Sequence, residues 1–107
     1  MAQFDDRVRG EEARFAMTAE LAFKAEARRN KLLGIWAAEL MSLSGDDARA
    51  YAASVVAADF AEPGEEDVFK KVSHDLKNKG IDVADAVIRQ KMAQLVTIAR
   101  EQVVNEG

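Results

Sequence analysis

The sequence lacks cysteine and has one histidine and one proline, and these shortages exclude several classes of protein. Without Cys, no disulfide, thiolate nucleophile or zinc–thiolate site can form. His74 alone provides too few ligands for a metal centre of the usual kind. Phosphate-binding glycine loops, zinc-protease helix pairs and nucleophile elbows are also missing. We therefore predict that the chain is not an enzyme and needs no cofactor.

Long apolar runs and an excess of positive charge are also missing. No run approaches the roughly 20 apolar residues that span a bilayer, and acids begin at Asp5 and Asp6, which argues against a targeting peptide. The net charge is −4: residues 1–31 carry seven Lys/Arg and six Asp/Glu, and residues 32–107 carry eight and thirteen. An acidic body argues against nucleic-acid binding. We expect a cytoplasmic protein with no direct membrane insertion.

The residues that are abundant favour helices. Apolar residues make up 49% of the 107 residues, many of them Ala, and β-branched clusters are few. Local signals divide the chain into four helical stretches joined by short links, which predicts an all-α, four-helix antiparallel bundle. The predicted stretches run from about residue 3 to 41, from the Ser44 cap to Pro63, from Glu65 to Gly80, and onward from Asp82.

Two of these stretches have clear apolar faces. The third has one at helical spacing, formed by Val68, Phe69, Val72 and Leu76. The fourth has a stripe of Ala84, Ile88, Met92, Leu95, Ala99 and Val103, which Val87, Val96 and Ile98 widen. Both patterns predict helices that face a common core.

The first stretch changes character midway. From Leu32 onward apolar residues nearly surround the helix, whereas residues 1–19 carry only a thin stripe of Phe4, Val8 and Phe15. The glycine at position 10 costs this part about 1 kcal/mol, and an isolated helix this short is only partly formed in water. We predict an N-terminal arm, residues 1–19, that folds onto a partner groove, and a bundle, residues 20–107. The alternative is that the stripe folds back and extends the core.

A basic cluster near the middle of the first stretch suggests a second hypothesis. Arg28, Arg29 and Lys31 stand close to the single Trp, Trp36, and an apolar wall beside cations could bind a small anionic ligand. An adenine nucleotide is one such ligand, and the bundle would then act as a regulatory sensor. The alternatives are a solvated helix face for the cluster and a core position for Trp36, packed on Leu32 and Leu40.

Three stretches carry a resemblance to a known family. Residues 4–7, 27–40 and 56–68 read FDDR, ARRNKLLGIWAAEL and VAADFAEPGEEDV. In these stretches, and over nearly its whole length, the chain resembles the zeta subunit family, the inhibitors of the F-type ATP synthase of alpha-proteobacteria. The resemblance implies a four-helix bundle with a mobile, partly helical arm. It also implies that the protein is held near the inner membrane through the ATP synthase.

The activity that the resemblance implies is inhibition of ATP hydrolysis. In the family the arm enters a catalytic interface between the α and β subunits, near the central rotor, and blocks rotation. By position the apolar anchors here would be Phe4, Val8 and Phe15. The polar contacts to the same partner would be Asp5, Asp6, Arg7, Arg9, Glu11, Glu12 and Arg14.

Overall fold

The computed structural model describes residues 18–61 and 64–106, and this part of the chain forms four α-helices. They are α1 (Ala19–Leu40), α2 (Gly45–Ala61), α3 (Glu65–Asn78) and α4 (Asp85–Glu106). Within the described ranges there is no β-strand. The predicted all-α, four-helix class is confirmed.

Helix α1 begins at a capped position. The Oγ1 atom of Thr18 accepts a hydrogen bond from the backbone N–H of Leu21 at 3.1 Å, which satisfies one of the donors left free at a helix start. The sequence predicts a helix from about residue 3, but the part of it up to residue 17 lies outside the described residues. The start at Ala19 lies within one residue of the boundary predicted between arm and bundle, and that division stays a prediction.

Two helices end in the same hydrogen-bonded turn. After α3, Gly80 has a φ of 75° and donates to the carbonyl of Lys77, and Ile81 donates to Leu76. After α1, Ser42 takes the left-handed position with a φ of 62°. Gly80 follows from its sequence signal, because glycine reaches positive φ without steric cost. Ser42 has no such signal.

Helix α4 begins later than predicted. It starts at Asp85 and not at Asp82, and the N–H groups of Val87 and Ile88 both bond to the carbonyl of Ala84. The preceding residues are not helical, and Ile81 and Val83 among them pack against the buried side chains of the core. Burial of these two side chains therefore overrides the local helix-start signal.

The core lies between α1 and its neighbours, and α1 packs most extensively against α2 and α4. The predicted face of α3 is buried throughout, and so is the α4 stripe except for Ala84. The prediction that Val87 and Ile98 widen the stripe is wrong, because they are 47% and 43% exposed. They are eleven residues apart, about three turns, on the side of α4 away from the core.

A close approach between α1 and α2 sets how these helices cross. A Cβ atom added to Gly34 would lie 2.6 Å from the Cα atom of Ala52 and 3.3 Å from Cγ2 of Val55. Real atoms do not approach so closely, and the nearer of the two obstacles is backbone. At Gly34, α2 therefore approaches α1 too closely for any side chain larger than hydrogen.

Candidate functional site

The residues predicted to bind the partner all precede Thr18 and lie outside the described residues. They are Phe4, Asp5, Asp6, Arg7, Val8, Arg9, Glu11, Glu12, Arg14 and Phe15. Their role stays a prediction. The structure describes the helix that follows them, and the other four candidate residues lie on that helix.

Arg28 is held by the end of α4. Its Nη1 atom donates to Gln102 Oε1 at 2.7 Å and to Glu106 Oε2 at 2.6 Å, and Nη2 donates to Glu106 Oε1 at 2.7 Å. This two-pronged bond lowers the pKa of Glu106 and raises the pKa of Arg28. The geometry matches the planar guanidinium to the carboxylate. Arg28 therefore ties α1 to α4.

Arg29 and Asn30 are buried on another side of α1. Arg29 is 7% exposed and Asn30 is fully buried, and the Nε of Arg29 donates to Asn30 Oδ1 at 3.0 Å. The Nη1 of Arg29 lies 3.7 Å from Oε1 of Glu65, at the start of α3. The Nη2 of Arg29 and the Nδ2 of Asn30 are buried without a hydrogen-bond acceptor among the described residues. Such donors usually find a partner.

Acidic side chains surround this buried pair. Burial, together with the charge of Asp59, raises the pKa of Glu26, and the nearby Arg29 opposes the rise. Asp59 also accepts a hydrogen bond from the backbone N–H of Gly64 at 3.2 Å, which ties the residue before α3 to the last turn of α2. Polar contacts thus join α1 to the end of α2 and the beginning of α3.

Lys31 lies on the rim of an apolar groove between α1 and α2. We call this feature the α1/α2 groove; it has a volume of about 330 Å³, and its lining residues are Lys31, Ile35, Arg49, Ala52, Ala53 and Val56. Lys31 is exposed and makes no ion pair with any residue that the structure describes. A second depression shares Lys31 and Val56 and continues along α1 toward Lys24 and Arg28.

The four residues of the predicted ligand site do not lie together. Trp36 is half-buried and packs against the core, and it follows Arg29 by seven residues, close to two full turns, so these two share a side of α1. Arg28 and Lys31 share another side, at the second depression. The structure therefore brings the candidates together as two pairs.

Sequence reasoning missed two features that depend on α2. The first is the α2 wall of the groove, where Arg49, Ala53 and Val56 recur at i, i+4 and i+7; this helical spacing was the available signal. The second is the Tyr51 hydroxyl, which donates to Asp75 Oδ2 at 2.8 Å. Burial and this bond raise the pKa of Tyr51. Lys71 also bonds to Asp75, at 3.0 Å, so this cluster links α2 to α3.

Metal sites and membrane spans can be judged for residues 18–61 and 64–106. No group of three or more His, Cys, Asp or Glu residues in these ranges is placed to hold a metal ion. No described helix is both long and apolar enough to cross a membrane.

The fold and the surface define a class: a small helical bundle whose first helix carries a buried polar cluster on one side and an open apolar groove on another. A family model described as ATPase inhibitor subunit zeta matches residues 1–102. The chain belongs to this family of inhibitor subunits. It is also similar to a protein solved by solution NMR, with 52% sequence identity and a TM-score of 0.70 over 79% of this chain and 96% of the other. A comparison with curated proteins finds no match.

Proposed function

We propose that this protein inhibits the F-type ATP synthase by inserting its N-terminal segment into a catalytic α/β interface of the enzyme head, near the central rotor. The observation that carries the proposal is the family match, which spans residues 1–102 and so includes the segment itself. As an inhibitor subunit the protein acts by binding and not by catalysis. We place it in the cytoplasm, peripheral to the inner membrane through the ATP synthase.

The form of the segment supports this mechanism. Phe4, Val8 and Phe15 make an apolar stripe, and acids and arginines surround it. Ordering a segment on a partner costs about 1–2 kcal/mol per residue in backbone entropy, and the burial of large apolar anchors has to offset that cost. Helix α1, capped at Thr18, gives the segment a firm point of attachment.

The test is ATP hydrolysis by the purified cognate enzyme head. Deletion of residues 1–17 should abolish inhibition and leave the helical circular dichroism of the remaining chain intact. Phe4→Ala and Phe15→Ala should each weaken inhibition about tenfold or more, as loss of an interface anchor does, with little loss of bundle stability. Gln3→Ala, beside the stripe, is the matched control. Full inhibition by the truncated chain would refute the proposal.

A second candidate function is the regulatory binding of a small anion, for which an adenine nucleotide is the proposed ligand. The two buried donors without an acceptor among the described residues, on Arg29 and Asn30, favour it, and Arg29 shares its side of α1 with Trp36. Titration of ATP and ADP, followed by Trp36 fluorescence and by chemical shifts, tests this candidate. Arg29→Met should remove a genuine response, and flat titrations up to millimolar ligand would exclude the function.

A further inference from the structure

The α1/α2 groove combines an apolar floor with cations in an otherwise acidic chain. Its floor consists of Ile35, Ala52, Ala53 and Val56, and Lys31 and Arg49 stand at its rim. Ala53 is exposed, and Ile35 and Val56 are half-buried. Apolar surface that stays open to water between two helices is typical of a site for another apolar element.

The charges around the groove favour an acidic partner. Arg49 pairs with Asp46 on its own helix, and farther along α1 Lys24 pairs with Glu20 and Arg28 with Glu106. Lys31 forms no such ion pair among the described residues, although its charge helps to lower the pKa of Glu106 from beyond ion-pair distance. Lys31 and Arg49 thus place two cations at the rim of this groove in a chain whose net charge is −4. Exposed ion pairs contribute only about 0–1 kcal/mol each, so Arg49 can exchange Asp46 for an acid on a partner.

The position of the groove relates it to the N-terminal segment. That segment joins α1 at Thr18, and Lys31 and Ile35 lie 13 and 17 residues farther along the same helix. At 1.5 Å per residue this is about 20–26 Å. The groove therefore lies within reach of a partner much larger than this distance when that partner holds the segment.

We propose that the α1/α2 groove is a second docking surface, and that it binds an acidic amphipathic helix on the outside of the ATPase head that the N-terminal segment inhibits. This inference rests on the proposed function. A helix fits because apolar side chains at i and i+4 enter a groove between two helices, while acids beside them reach Lys31 and Arg49. Two linked contacts bind much more tightly than either does alone, because the second forms within one complex.

The experiment uses the full chain with both rim cations reversed, Lys31→Glu with Arg49→Glu. The matched control reverses Lys77 and Arg100, which are exposed on α3 and α4 outside the groove. Binding to the purified enzyme head is measured at low and high salt, and inhibition is measured at saturating chain. The groove variant should bind at least tenfold more weakly than the wild type at low salt. The difference in affinity should become smaller at high salt, because salt screens the charges at the rim. The control should stay within twofold.

A third variant tests the apolar floor. Ala53→Asp places an acid in the groove without touching the buried core and should also weaken binding several-fold. Inhibition at saturating concentration should persist in all three variants, because the N-terminal segment is unchanged. Circular dichroism verifies that each variant keeps its helices.

Several outcomes would overturn the inference. One is a groove variant that binds as tightly as the control. Tighter binding would show that the groove normally holds the chain's own N-terminal segment. A wild-type dimer that the groove variant alone converts to monomer would identify a second copy as the occupant. Sedimentation of the wild type with anionic phosphatidylserine vesicles, lost in the groove variant, would identify a membrane. If instead the wild type fails to inhibit, the proposed function fails, and the binding measurement still reports on the groove.

Discussion

The two halves of α1 are held in place by different forces. The half from Ala19 to Lys31 buries only Ala25, Arg29 and Asn30, and it makes polar long-range contacts through Arg28 and Arg29. The half from Leu32 to Leu40 buries Leu33, Gly34, Ala37 and Ala38. We call the contacts of Arg28 and Arg29 with α4 and α3 the polar joint. One continuous helix thus carries the polar joint in its first half and contributes to the close-packed core with its second half.

The two halves of α1 therefore have different roles: one stabilises the bundle, and the other fixes how the helix is oriented where the N-terminal segment joins it. Apolar burial contributes about 25 cal/mol per Å², so the second half of α1 stabilises the bundle. Polar joints contribute little net energy, because taking charged groups out of water offsets much of their attraction. The polar contacts instead fix the orientation of α1, because Arg28 and Arg29 hold this helix against α4 and α3. Both residues lie in the half of α1 to which the N-terminal segment is attached. Substitutions in each half test whether the two halves of α1 contribute differently to the free energy of unfolding.

The largest loss of stability should follow removal of core volume in the second half. Leu33 is completely buried, so Leu33→Ala should lower the free energy of unfolding by about 2–5 kcal/mol through lost burial and a residual cavity. Urea unfolding followed by circular dichroism measures it. Leu40→Ala is the control on the same helix. Because Leu40 is 37% exposed, this substitution should lower the free energy of unfolding clearly less. Equal losses would show that α1 does not pack as described.

The next largest effect should come from the helix crossing. Gly34→Ala should destabilise by about 1–3 kcal/mol, because the added methyl group meets the backbone of Ala52 and forces the helices apart. The loss should appear although alanine is about 1 kcal/mol better than glycine within a helix. Adding Ala52→Gly should restore only part of it, since the backbone at position 52 still obstructs the new methyl group. A stabilised Gly34→Ala protein would contradict the close approach.

In the polar half, replacing the buried arginine should have a small effect. Arg29→Met keeps most of the packed stem and removes a donor that is incompletely bonded. It also leaves the buried Oδ1 of Asn30 without its hydrogen-bond donor, so the free energy of unfolding should fall by about 1 kcal/mol. Glu65, which is 59% exposed, keeps its hydration afterwards. Arg29→Ala, which also removes the stem, should be less stable than Arg29→Met. A large loss in Arg29→Met would mean that the polar joint stabilises the bundle as the core does.

The smallest effect should be a pH dependence at the Arg28–Glu106 bond. Arg28 lowers the pKa of Glu106 below its ordinary value of 4.5, so the stabilisation is complete above that value and is lost as the pH falls through the lowered pKa. Glu106→Gln should therefore be slightly less stable than the wild type at pH 7, and the difference in free energy of unfolding between the two proteins should disappear at acid pH. Unfolding curves at several pH values measure it; a gap that widens on acidification would contradict the assignment.

How much of the fold followed from sequence can be judged at particular residues. Helix α2 ends at Ala61 and α3 at Asn78, close to the ends predicted from the sequence signals at positions 63 and 80. The α3 and α4 faces followed from 3.6-residue periodicity. The start of α4 did not follow, because Ile81 and Val83 gain more from the core than from a helical turn. Periodicity also overstated the α4 stripe, since Val87 and Ile98 lie on the side of the helix away from the core.

The candidate site was less predictable than the fold. The basic cluster was visible in sequence, but its division into two sides of α1 depends on which partners surround the helix. Arg28 meets Glu106 seventy-eight residues later, and the groove beside Lys31 requires α2. Local patterns contain no information about such distant contacts.

The sequence by itself determined that this protein is an all-helical member of an inhibitor-subunit family, and that its first helix enters the core from about Leu32 onward. Composition, capping signals and family motifs are local properties and need no knowledge of packing. Tertiary structure alone decided where α2 crosses α1 at Gly34, that Arg29 is buried while Lys31 is not, and that a groove opens between the two helices. These features are set by the distances between elements, and those distances exist only once the helices have packed.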